Sequence, residues 1–91
     1  MSFDTDRCYR LSPAVTLRPE PFGALAYHFG QRRLTYLAAD DLVAVVSQLQ
    51  GPSGLRNAAE AMAAAEVPAE RRPILERALA NLVERGVLDA V

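Results

Sequence analysis

One cysteine, one histidine and no apolar run of membrane length are the scarcities that exclude most about this chain. Cys8 alone can form no intramolecular disulfide, and it cannot supply the thiolate cluster that zinc or iron–sulfur binding requires. A reducing compartment fits that usage. No apolar stretch reaches the ~18 residues of a membrane span, and the opening MSFDTDR lacks the basic-then-apolar order of an export signal. These absences predict a soluble cytoplasmic protein with no membrane partner. Ten basic against eleven acidic side chains leave a formal net charge of −1, so the chain lacks the positive field that carries phosphate-backbone binding. Nucleic acid is therefore a disfavoured partner.

Catalytic machinery is equally hard to assemble. A nucleophile or an acid–base pair would have to come from His28, Cys8 and scattered serines. His28, between Tyr27 and Phe29, reads as a partly buried sheet residue, and Cys8, flanked by Arg7 and Arg10, as the solvated start of a strand. Asp40 and Asp41 open a helix, where unpaired N–H groups and the helix dipole favour carboxylates, and Asp40 is the expected cap. Neither GxGxxG nor GxxxxGK[ST] occurs, so no nucleotide site is indicated. The chain is expected to be no enzyme and to carry neither cofactor nor metal.

What is present is one folding unit. With 51% hydrophobic and 23% charged residues, 91 residues suit a single globular domain, expected over residues 9–91 behind a flexible segment 1–8. From Tyr9 to Leu37 strand formers dominate. Val15 and Leu17 alternate with polar neighbours between Pro13, Pro19 and Pro21, which suits an outer strand. Leu25, Tyr27 and Phe29 share one face of a second strand, with Ala24, Ala26 and His28 on the other. Residues Arg33 to Leu37 follow after Gly30-Gln31-Arg32, a connection that predicts a hairpin with Gly30 at a positive φ.

Beyond Asp40 the period changes. Leu42, Val45, Val46 and Leu49, then Leu55, Ala58, Ala59 and Met62, then Leu75, Ala78, Leu79 and Leu82 each repeat i, i+3, i+4, i+7, the apolar stripe of an amphipathic helix. Gly51-Pro52-Ser53-Gly54 separates the first two, Val67-Pro68 the second pair, and Gly86 stops the last. Pro73 is compatible with the third helix only within its first turn. A three-stranded antiparallel sheet followed by three α-helices predicts an α+β domain of the winged-helix kind.

Two surface features suggest binding. Arg32 and Arg33 open the last strand, while Arg71, Arg72 and Arg77 lie on or near the last helix; guanidinium forks suit carboxylates, although Glu70, Glu76 and Glu84 balance part of that charge. An outer strand can also template an added one, by β-augmentation.

The segment Leu17-Arg18-Pro19-Glu20-Pro21-Phe22-Gly23-Ala24-Leu25-Ala26-Tyr27-His28-Phe29-Gly30, followed by Arg32-Arg33-Leu34, resembles the hallmark stretch of the precursor-binding chaperones of mycofactocin biosynthesis. A looser likeness runs from Tyr9-Arg10-Leu11 through Gly86-Val87-Leu88. That family is similar to the small chaperone of pyrroloquinoline quinone biosynthesis and to the winged-helix-like recognition elements of ribosomally made, modified peptides (RiPP recognition elements). The resemblance implies that a precursor leader pairs as an extra strand and lies in a groove beside the third helix. It further implies presentation to a radical S-adenosylmethionine (radical SAM) maturase, whose cysteine cluster this chain lacks. Carried over, it assigns Arg33, Leu34, Thr35, Tyr36 and Leu37 to strand pairing, and Arg71, Arg72, Leu75, Ala78, Leu79 and Leu82 to the groove, with Arg32 also expected among the peptide-binding residues. Two other readings remain open: a winged-helix DNA-binding regulator using the segment 55–82, and a homodimer formed through strand edges.

Overall fold

In a computed structural model that describes residues 6–21, 23–50 and 56–90, the alternating first half of the chain forms one antiparallel sheet. Its strands are β2 (Val15–Glu20), β3 (Gly23–His28) and β4 (Arg33–Leu37), ordered β2-β3-β4, preceded by β1 (Cys8–Leu11). Three helices follow: α1 (Asp40–Gln48), α2 (Ala58–Ala64) and α3 (Arg72–Glu84). A second sheet places β1 between β5 (Arg56–Asn57) and β6 (Leu88–Ala90). The α+β class, the three-stranded sheet and the three helices match expectation. The order does not, because β1 precedes that sheet, β5 interrupts the helices and β6 follows them. Of segment 1–8, residues 1–5 lie outside the described residues, and Cys8 opens β1.

The core is a single cluster. Leu42, Val45, Val46 and Leu49 of the α1 stripe, and Leu75, Leu79 and Leu82 of α3, pack with Ala24, Ala26 and Leu37 of the sheet and with Tyr9 and Leu88 of the smaller one. Withdrawal of each large aliphatic side chain from water is worth about 1.5–3 kcal/mol. Ala24 and Ala26 are 2% and 1% exposed, so the small face of β3 turns inward, where a helix can approach closely. Its large face points out. Gly23 permits another close approach: at φ +147°, a side-chain carbon there would collide with the Leu37 carbonyl oxygen of β4.

Helix ends correct several local expectations. The N-cap of α1 is Ala39, with no side-chain capping bond; Asp40 is the first helical residue, and Asp41 Oδ1 accepts from Leu42 N at 2.9 Å. α2 begins at Ala58, capped reciprocally by Asn57 and Glu60, while the expected connection Gly51–Gly54 and Leu55 lie outside the described residues. Pro73 does fall in the first turn of α3. Gly86 (φ +79°) closes α3, donating to Val83 O at 3.1 Å while Val87 N reaches back to Leu82 O at 2.9 Å. In the β3–β4 turn the positive φ belongs to Arg32 (50°) rather than to Gly30, so the left-handed position is held by a side chain that tolerates it at some strain.

Candidate functional site

The two outer strands of the β2-β3-β4 sheet are chemically unlike. Phe29 N donates to Ala14 O at 2.9 Å, one step beyond the Val15↔His28 pair, so the N–H groups of Phe29, Tyr27 and Leu25 point toward β2. Those of His28, Ala26 and Ala24 must point toward β4, facing Arg33, Thr35 and Leu37. Alternation then turns the main-chain N–H and C=O of Leu34 away from β3, with Tyr36 oriented the same way. On β2 the outward positions are Val15, Leu17 and Pro19. Val15 N already donates to Ser12 O at 3.0 Å, and Pro19 has no N–H to offer. Two of the three outward positions of β2 therefore offer no N–H for pairing, whereas the outward positions of β4 carry both donors and acceptors.

α3 spans the same stretch of the molecule as β4. At its beginning, Arg71 grips Asp41, just after β4, through a two-pronged bridge: Nε to Oδ2 at 2.7 Å and Nη2 to Oδ1 at 3.1 Å. That hydrogen bond, with its charge attraction, holds the Asp41 carboxyl below its ordinary range and raises Arg71. At its end, a side-chain carbon on Gly86 would lie 3.2 Å from Gln31 Nε2 and 3.7 Å from His28, in and beside the β3–β4 turn. Ile74 and Ala78 fall at i and i+4, on one flank of α3, and Arg71, the residue before the helix, makes the bridge to Asp41. Ile74 is 55% exposed on that flank.

The assigned residues separate into groups. Arg32, Arg33, Leu34 and Tyr36 are exposed; Thr35 and Ala78 are half-buried; Leu37, Leu75, Leu79 and Leu82 lie in the core. Arg71 is half-buried in its bridge. Among the described residues, Thr35 Oγ1 and Arg72 Nε are buried side-chain polar atoms without a hydrogen-bond partner, one on β4 and one at the start of α3. His28 is half-buried and accepts from Gln31 N at 3.2 Å, which makes it a turn-stabilising residue. Sequence reasoning missed Ile74, which stands just outside the α3 stripe, and the partnership of Asp41 with Arg71. It also left unused a signal for the exposed Phe29: the alternation Leu25, Tyr27, Phe29 sets large apolar side chains on the face opposite the small, buried Ala24 and Ala26. No described group of His, Cys, Asp and Glu could hold a metal ion, and no helix among the described residues is long and apolar enough to cross a membrane.

Comparison with known proteins agrees with the resemblance noted in the hallmark segment. A model of the peptide chaperone MftB family matches residues 8–89. Peptide chaperone MftB of Mycobacterium tuberculosis is 52% identical over 56 residues, 62% of this chain and 51% of that protein. The Mycobacterium ulcerans protein of the same name is 48% identical over 60 residues, 66% of this chain and 55% of its own length. That of Mycolicibacterium smegmatis is 40% identical over 88 residues, covering 97% and 83%. The first two matches thus span about half the length of those relatives. No solved structure matches the chain.

Proposed function

Because the chain belongs to the peptide chaperone MftB family, we propose that it binds the leader of the mycofactocin precursor by strand addition at β4 and presents it to a radical SAM maturase. The observation that carries this reading is the asymmetry of the sheet. Only the β4 side turns main-chain groups outward without a proline, and α3 lies along the same stretch. An added strand would draw its affinity from main-chain hydrogen bonds and its specificity from side chains beside α3. Within that frame, Ile74 and Ala78 offer apolar contact and Arg72 a donor, while Leu75, Leu79 and Leu82 act from the core by holding the helix in place. Arg32 and Arg33 favour a leader with carboxylates. Holding a flexible peptide near an active site raises its effective concentration and asks no catalytic residue of the presenter. Such a role is cytoplasmic and non-catalytic.

The test is a calorimetric titration with the synthetic precursor, a scrambled leader as control, on the natural protein and on Leu34→Pro. Proline removes the outward N–H of Leu34 and leaves the bonds to β3 in place. Saturable binding of the authentic peptide alone, lost in Leu34→Pro with an unchanged circular dichroism spectrum, is the expected result. Equal binding by both proteins, or by both peptides, would overturn strand addition at β4.

A further inference from the structure

The outer face of the sheet, opposite the helices, is graded across its strands. The register aligns Thr16, Tyr27 and Leu34 in one row and Arg18, Leu25 and Tyr36 in the next. β2 thus contributes polar side chains, while β3 and β4 contribute only large apolar ones. Phe29, Leu34 and Tyr36 remain 56%, 60% and 52% exposed. A sheet face meant only for water would alternate to polar residues on every strand. Here the apolar half borders the outward side of β4.

That half is also shaped. An open recess of about 360 Å³ is lined by Thr16, Arg18, Leu25, Tyr27, Phe29 and Leu34. At about 30 Å³ per molecule of liquid water, it has room for a bulky side chain. Tyr27 and Phe29 meet edge to face, with ring centroids 5.4 Å apart at 75°, and Phe29 N is bonded to Ala14 O at 2.9 Å. The wall of the recess is held before anything binds, which lowers the ordering cost of binding. At its rim the side chain of Arg18 is 79% exposed, and its Nε approaches Glu20 Oε1 at 3.6 Å. Arg32 is also exposed, at the adjoining turn, whereas Arg33 pairs with His28 and so belongs to the helix side of the sheet.

We infer that this recess is a second contact surface for the bound peptide, taking a bulky aliphatic or aromatic side chain that neighbours a carboxylate placed on Arg18. The inference rests on the reading that β4 receives the peptide. Continuity selects this occupant. A strand added beside β4 would lie about 4.8 Å away, with every second side chain on the outer face next to Leu34 and Tyr36. Apolar character increasing toward that strand, with Arg18 exposed across the same face, fits one chain that pairs at β4 and covers the outer face with apolar and acidic residues. The leader is then read on both faces, inward toward α3 and outward over the recess.

The experiment is titration of the synthetic mycofactocin precursor into the natural protein, Phe29→Ser, Leu34→Ser, Arg18→Glu and Leu34→Pro. Phe29 and Leu34 are exposed, so melting temperatures should stay near the natural value and serve as the folding control. Phe29→Ser and Leu34→Ser should each weaken binding about tenfold, which is ~1.4 kcal/mol. Arg18→Glu should weaken it several-fold at low salt, with the difference shrinking as salt is raised. If Leu34→Pro abolishes binding while both serine variants stay within twofold of natural affinity, the outer-face contact is wrong and strand addition stands. If Leu34→Pro binds normally, both fall. Serine variants that bind peptide normally but lose concentration-dependent mass would assign the face to a second copy, and ones that lose only maturase turnover would assign it to the enzyme; either result overturns the inference.

Discussion

β2 and β4 flank the same central strand, yet β2 offers an outward N–H at only one of its three outward positions while β4 keeps a proline-free ladder. β2 meets its outer side with Pro19 and with a Val15 amide already turned back to Ser12; β4 meets its own with Leu34 and Tyr36, which follow the exposed Arg32 and Arg33. Both edges come from sequences that read as strands. The difference teaches that edge availability is set by which residues fall on outward-facing positions of the ladder, a matter of parity. Moved by one residue, Pro19 would remove a bond to β3 instead of silencing an edge.

The comparison breaks most completely through Leu34→Pro, which transfers the β2 device to β4. Peptide affinity is expected to fall about a hundredfold or more in calorimetry. Pro19→Val does the reverse, giving β2 an outward donor; sedimentation should then show mass rising with protein concentration, with peptide affinity within twofold of natural. Asp41→Asn tests the tie between the start of α3 and α1, the helix that follows β4. Loss of the two-pronged bridge to Arg71 should weaken peptide binding several-fold. A carboxyl held below its ordinary value favours the folded state where it is ionised. The stability gap between Asp41→Asn and the natural protein should therefore be full above about pH 4 and close as pH falls through the lowered value, read by denaturant melts across that range. The smallest effect belongs to Arg33→Glu at the exposed start of β4: about threefold weaker binding at low salt, vanishing at high salt.

Local periodicity made β2, β3, β4 and the three helices legible, because strand alternation and helical stripes are written within a few residues. Pro73 and Gly86 gave helix ends for the same reason. β1, β5 and β6 were not legible as a sheet: pairing Tyr9 with Ala90 and Cys8 with Asn57 joins positions far apart, and β5 has only two residues. The bridge across thirty residues between Asp41 and Arg71 has no local signature either. Of the candidate site, β4 was named as the pairing strand, but the stripe on α3 could not be divided into core and groove without knowing the helix's rotation. The structure supplies that rotation, burying Leu75, Leu79 and Leu82 and exposing Ile74.

The small sheet also sets how the chain would yield to force. β1 and β6 are antiparallel, with Tyr9 opposite Ala90 at one end and Leu11 opposite Leu88 at the other. Tension through the chain before Cys8 and after Ala90 would load these hydrogen bonds one at a time, as in unzipping, rather than all together in shear. An unfolding machine pulling at both points would meet its weakest resistance first, peeling β6 from β1 and uncovering Tyr9 and Leu88 of the core before the sheet bearing β4 is strained.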